Sequence, residues 1–292
     1  MSQYWNVQNR REFMKLGIAG AAGMALSGCS GLRLGKPKPI PVALQLYSVR
    51  HECAKDEGRN LTQVIKAVAD MGYDGVEFAG YYNWNPTDLR TLLDDHGLRA
   101  ISTHTSLKLL QGDEFGKTVD LHHTIGADHI IVPSLPKQYT SSIEGWKEVC
   151  GLFNDITAKL KPHNLKTGYH NHSVEFKPLG DTTGWDVFMS NTVDDVIMQL
   201  DVGNCMGGNG DPVAIIKKYP GRADAIHIKE HGGDRKTVVG EGDAPLKEII
   251  ELARTVAGTE WFIIEHERVR EGSLEAVDRC LQNFRGLMTE PV

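Results

Sequence analysis

The sequence predicts an α/β fold, a closed (β/α)₈ barrel, and three observations carry the prediction. Short apolar runs rich in β-branched residues alternate with longer segments of helical period, the pattern of parallel strands joined by crossover helices. Eight such units follow one another, starting roughly 30 residues apart, which suits one βα unit each. From Pro41 to Val292 the chain is about the 250 residues that one such barrel occupies.

The expected strands are Val42 to Ser48, Gly75 to Ala79, Ala100 to Thr105, His129 to Pro133, Thr167 to His172, Ile197 to Val202, Ala225 to Lys229 and Trp261 to His266. Between them, helices announce their ends. Asn60 with Gln63 forms a capping-box pattern before Val64, Ile65, Ala67 and Val68, and Gly72 closes that helix. Asn85-Pro86 places a cap and a first-turn proline before Leu89, Leu92 and Leu93, with Gly97 as the stop. Further helices are expected over Glu114 to Ile125, Ser142 to Lys161, Gly184 to Ser190, Pro212 to Tyr219, Ala244 to Ala257 and Ser273 to Met288. Gly207-Gly208-Asn209-Gly210 lacks the strand-helix context of a nucleotide loop and reads as a flexible turn.

The N-terminus carries a different signal. Asn9-Arg10-Arg11-Glu12-Phe13-Met14-Lys15 resembles a twin-arginine export signal, and the uncharged apolar stretch Leu16 to Leu26 is too short to span a bilayer. It ends in Leu26-Ser27-Gly28-Cys29, which resembles a bacterial lipobox with Cys29 as the lipidated residue. The expected organisation is an export signal with lipobox over 1–29, a tether over 30–40 with Gly31, Gly35, Pro37 and Pro39, and a barrel over 41–292. Such a chain sits in the periplasm or cell envelope, held to the membrane by lipid.

A net charge of −6 with no basic stripe leaves no electrostatic footprint for nucleic acid. Cys53, Cys150, Cys205 and Cys280 are scattered without CxxC spacing, so neither a zinc ribbon nor a disulfide scaffold is indicated.

In a (β/α)₈ barrel the reacting groups sit where strands end, and these strand ends are strongly polar. They carry Glu77, His104, Tyr169-His170-Asn171-His172 with Glu175 beyond, Asp201, His227 with Lys229, and Glu265 with Glu267. Residues two apart on a strand share a face, so imidazoles and carboxylates converge at one mouth. Asp201, His227 and Glu265 each end an apolar strand, where an unpaired charge is costly to bury, and are therefore read as metal ligands. Such a donor set, without thiolate, suits Mn²⁺, Mg²⁺, Co²⁺ or Zn²⁺. His51, His96, His122, His123 and His163 lie in helices or loops and are read as structural. His104 and Glu77 are candidates for holding substrate hydroxyls, and Trp84, with Tyr81 and Tyr82, for packing on a flat face of a substrate.

The runs Gly75-Val76-Glu77-Phe78, Tyr169 to Phe176, Gln199 to Asn204, Asp211-Pro212-Val213, His227-Ile228-Lys229 and Val239-Gly240-Glu241-Gly242 resemble the sugar phosphate isomerase/epimerase family of xylose isomerase-like barrels. The resemblance implies a metal on Glu, Asp, His and Glu from strands five to eight, with the two glutamates also moving the proton. Asp201, His227 and Glu265 match three of these positions. Strand five departs: it offers His170, the assigned fourth ligand, with Glu175 five residues later as its rival.

The shared chemistry is proton abstraction next to a carbonyl, with a metal polarising the oxygen. Glu265, Glu175 and His172 are the base candidates, and Lys229 a stabiliser of developing negative charge. The first expectation is an isomerase or epimerase acting on a small carbohydrate. The second is a lyase or hydratase of 3-keto-glycosides, in which the same proton loss expels the aglycone. The third, from another class, is a surface sugar-binding protein without turnover.

Overall fold

In a computed structural model, residues 39–289 are described. The expected export signal, Cys29 and all but the last two tether residues lie outside them. Eight parallel strands close into a barrel: β1 Val42–Gln45, β2 Gly75–Phe78, β3 Arg99–His104, β4 His129–Val132, β5 Lys166–His170, β6 Ile197–Asp201, β7 Ala225–Ile228 and β8 Trp261–Ile264. Each strand pairs with its successor, and β8 closes on β1 through Ala43 and Ile263.

Helices α1 Leu61–Met71, α2 Pro86–Asp95, α3 Glu114–Ile125, α4 Ile143–Leu160, α5 Gly184–Asn191, α6 Pro212–Lys218, α7 Leu246–Thr255 and α8 Ser273–Thr289 lie on the chain between and after the strands. Their starts are held by side chains that take orphan amides: Asn85 accepts from Asp88 N at 2.9 Å, and Asp211 from Ala214 N at 3.0 Å. Gly72 ends α1 at φ 98°, a left-handed conformation that favours glycine.

Three expectations are corrected. Asn60 caps nothing with its side chain; its Nδ2 donates to Glu52 O at 2.9 Å instead. Several strands stop short of their expected ends, because β1 turns at once into a 3₁₀ segment, Leu46–Val49, and β5 ends at His170. Gly207 is the last residue of a short helix, Val202–Gly207, rather than part of an open turn.

Two apolar layers explain the strand pattern. Outward residues join the helices in the main core, where Trp146, Phe153, Tyr169, Trp185 and Phe188 interlock; Phe153 and Phe188 meet edge to face at 4.9 Å. Inside the barrel Ala43, Ile101, Ala225, Trp261 and Ile263 form a separate buried cluster. Two residues further along β1, β7 and the end of β8, on the same face, stand Gln45, His227 and Glu265. The lumen thus turns from apolar to polar toward the C-terminal ends of the strands. Cys53, Cys150, Cys205 and Cys280 are buried free thiols.

Candidate metal centre and active site

Register brings the polar residues together. Asp201 on β6 pairs with His227 on β7, His227 with Ile263 on β8, and His170 on β5 with Gln199 on β6. His170, Asp201, His227 and Glu265 are all buried, and one ligand atom from each lies within 4.8 Å of the others.

Each donor is aimed by a neighbour. Asp201 caps the helix that follows it, its Oδ1 accepting from Asn204 N at 2.6 Å. That helix packs directly on the backbone that follows β7, since a Cβ on Gly203 would come within 2.8 Å of Glu230 O and 2.9 Å of Lys229 O. Asn171 bridges strands five and six by accepting from Asp201 N at 2.8 Å and donating to Asp201 O at 3.1 Å. The other carboxylate oxygen, Asp201 Oδ2, is buried with no hydrogen-bond partner among the described residues.

Beneath the cluster lies Glu77, fully buried and engaged on both oxygens. Its Oε1 accepts from Gln45 Nε2 at 2.6 Å and from His227 Nε2 at 2.7 Å; its Oε2 accepts from Ser102 Oγ at 2.5 Å and Gln199 Nε2 at 2.6 Å. Gln199 Oε1 in turn accepts from His104 Nε2 at 3.0 Å and His170 Nδ1 at 3.1 Å. With the proton of His170 on Nδ1, the lone pair of its Nε2 is left for a ligand.

Electrostatics follows from this crowding. Burial alone would raise the Glu77 carboxyl, but the His104 and His227 rings outweigh it and hold it well below the usual carboxylate range. Burial would likewise lower His227, yet Glu77 and Glu265 lift it to about 10. Asp201 is pushed up to about 6, by burial against the pull of Lys229. Glu265 is held low: burial opposes ionisation, but the Lys229 ammonium 3.4 Å from Oε1 and His227 Nδ1 2.6 Å from Oε2 prevail. Lys229 also pairs with Glu267. Although its surface is open to solvent, the His172 ring is lowered, chiefly by desolvation where it lies beside His170.

The donor set fits a divalent cation. Two imidazoles and two carboxylates, free of thiolate, converge in the buried interior, and Asp201 Oδ2 has no hydrogen-bond donor among the described residues, the Lys229 ammonium standing 3.8 Å away, so a divalent cation would complete its partners. His227 gives its Nε2 proton to Glu77, the carboxylate–histidine arrangement that orients a metal-ligating imidazole.

Three of the sequence-predicted site residues lie elsewhere than expected. Glu175 is buried beside β5 with Oε1 accepting from Tyr169 OH at 2.7 Å and Oε2 from His172 N at 2.8 Å, which leaves it outside the four-residue cluster. Glu77, enclosed on every side, supports His227 rather than meeting a sugar. Trp84 is partly buried against the core and donates from Nε1 to Gly58 O at 2.9 Å. His104 keeps one tenth of its side chain exposed, and His172 stands exposed at the mouth. The sequence assigns no role to Gln45, Ser102, Gln199 and Asn171, the last two named there only within longer runs. A signal existed for Gln199: an amide inside the apolar strand Ile197–Asp201, two residues before Asp201 and on its face.

A family model described as xylose isomerase-like TIM barrel matches residues 65–283. The chain belongs to this family. Among curated proteins, an inosose dehydratase of Serratia proteamaculans (strain 568) is 22% identical over 246 residues, 70% of this chain and 82% of that protein. Among solved structures, a sugar phosphate isomerase/epimerase from Parabacteroides distasonis ATCC 8503 superposes with a TM-score of 0.73 at 25% identity, covering 87% of this chain and 96% of that one. An IolI protein described with a binding zinc atom shares the fold at a TM-score of 0.65 and 12% identity, over 85% of this chain and 98% of that one.

Proposed function

We propose that the barrel mouth is a metal-dependent lyase or dehydratase site: it removes a proton from the carbon next to a ring carbonyl of a keto-sugar or keto-cyclitol and expels the oxygen on the adjacent carbon. The observation that carries this reading is the position of Glu175. Inversion at carbon by two carboxylates needs a strand-five glutamate in the cluster; His170 stands there, and Glu175 is committed to Tyr169 and the backbone of His172. The inosose dehydratase relatives support the same direction.

His170, Asp201, His227 and Glu265 would hold a divalent cation, which when bound would supply Lewis acidity toward the substrate carbonyl. Glu265 is a weak base, because both its oxygens are engaged and its carboxyl is held low. His172 is the better proton carrier: it is exposed, and its backbone is fixed by Glu175. Its imidazole takes the proton from the carbon, the C–H electron pair becomes the enolate, and that pair then forms the C=C bond as the β-oxygen leaves. The departing oxygen takes the same proton back from His172, so one residue balances both transfers. Lys229 offsets negative charge developing at the oxygen, and the exposed tenth of His104, whose ring nitrogens face Gln199 and Gln45, borders the space for a neighbouring hydroxyl.

The test is aglycone release from a chromogenic 3-keto-glucoside, and dehydration of a keto-cyclitol, by the metal-loaded protein. Release should fall by about 10²- to 10⁴-fold in His172→Ala. The isomerase or epimerase reading, favoured by the Parabacteroides structural neighbour, replaces the lyase if no substrate eliminates while a ketose pair interconverts. On residues 9–29 we propose export and lipid anchoring through Cys29.

A further inference from the structure

A second cluster of ligand-type side chains lies at the opposite, N-terminal end of the strands. His129 opens β4, while Asp224 and Glu260 immediately precede β7 and β8. One ligand atom from each of the three lies within 4.8 Å of the others. These residues come from distant parts of the barrel wall, and only the closure of the sheet brings them together.

His129 sets this cluster apart from an ordinary patch of surface charge. It is 1% exposed, and neither ring nitrogen has a hydrogen-bond partner among the described residues. The nearest carboxylate of its own loop, Asp128 Oδ1, stands 3.8 Å from Nε2, beyond hydrogen-bond reach. Buried imidazoles normally find partners for their nitrogens, so an unpartnered one facing two carboxylates marks a place for a ligand. Lys166 answers part of the charge: its Nζ is 2.6 Å from Asp224 Oδ2 and 3.8 Å from Glu260 Oε1, yet it leaves His129 unsatisfied. With 45% of its side chain exposed, Lys166 lies at the solvent rim of the cluster.

We propose that His129, Asp224 and Glu260 bind a borderline divalent cation of the zinc type, a second metal site that ties β4, β7 and β8 together across the floor of the barrel. An imidazole with two carboxylates suits zinc or cobalt and is too nitrogen-rich for calcium. The cation satisfies the lone pair of His129 and both carboxylates at once, which the single ammonium of Lys166 does not. Its role is structural, since it stands at the end of the barrel away from the substrate mouth, and strand N-termini are where this fold places stability rather than catalysis.

The experiment is equilibrium dialysis of the chelator-stripped full chain against zinc alone, with metal content read by mass spectrometry and melting temperature by circular dichroism. Wild type should hold about two zinc ions per chain, one at each end of the barrel, and Asp201→Asn about one. Adding His129→Gln to Asp201→Asn should remove the remaining ion and abolish the zinc-induced rise in melting temperature. Glu260→Gln, an isosteric change of a side chain 42% exposed, should keep the fold by circular dichroism and weaken the second ion about tenfold or more. Lys166→Ala should tighten it roughly two- to fivefold by removing a competing surface ion pair. Equal zinc content and equal melting shifts in Asp201→Asn with and without His129→Gln, or an unchanged second affinity in Glu260→Gln, overturn the proposal.

Discussion

The Nε2 atom of His227 lies 2.7 Å from Oε1 of Glu77, a carboxylate with no access to solvent. Strand β2 thereby dictates which nitrogen of a β7 imidazole keeps its proton, and Nδ1 is left facing Glu265 and Asp201. Glu77→Gln keeps the shape but removes the charge that aims the ring. Affinity at the barrel mouth should drop about 10- to 100-fold, the usual effect of losing such a partner. Titration of stripped protein with Mn²⁺, followed by electron paramagnetic resonance, measures it; unchanged affinity would show that Glu77 only fills space.

Asp201→Asn removes the negative charge of the carboxylate whose Oδ2 has no donor, while the amide oxygen can still cap Val202–Gly207. The variant should fold normally and hold one divalent ion fewer per chain. Metal analysis beside a circular dichroism spectrum checks both halves, and retention of the full metal content contradicts the assigned ligand set.

Glu175→Gln should separate positioning from ligation. The amide oxygen can still accept from Tyr169 or from His172 N but loses the charge that holds both, so His172 wanders. Turnover should fall about tenfold or more with metal content unchanged. A loss of metal in this variant would instead make Glu175 the fourth ligand.

His122 sets an acid limit on stability. Its Nδ1 donates to Thr118 O at 2.7 Å and its Nε2 accepts from Thr103 Oγ1 at 2.7 Å, and burial, against the pull of that carbonyl, lowers the ring to about 4. Above the unfolded value of 6.5 the ring is neutral in both states and contributes no pH dependence. Between 6.5 and about 4 only the unfolded chain takes up the proton, so stability declines as pH falls. The decline from this residue totals about 3 kcal/mol. Urea midpoints across that range should slope less steeply in His122→Asn than in wild type; equal slopes would remove His122 as the cause.

Cys29→Ser should move the protein from the membrane fraction to the soluble one if the lipobox is used. Fractionation of a bacterial host, with mass spectrometry of the wild-type N-terminus, decides this, and unchanged retention with no lipid on the wild type rejects the anchor.

The sequence by itself determined the barrel, because strand and helix periods, caps and a chain of barrel length are local quantities, readable without knowing any contact. It also marked Asp201, His227 and Glu265, since a charge at the end of an apolar strand is costly wherever the strand goes. Closure of the sheet decided the rest. Glu77 is 150 residues from His227 in the chain, and whether it meets a sugar or a histidine depends on register across a barrel 8 strands round. Glu175 follows His172 on a 3₁₀ turn that swings its carboxylate back under Tyr169, a direction that spacing along the chain does not encode. The pairing of His129 with Asp224 and Glu260 has the same origin: a closed sheet brings its far strands to one axis, so residues with no common pattern in the sequence become neighbours.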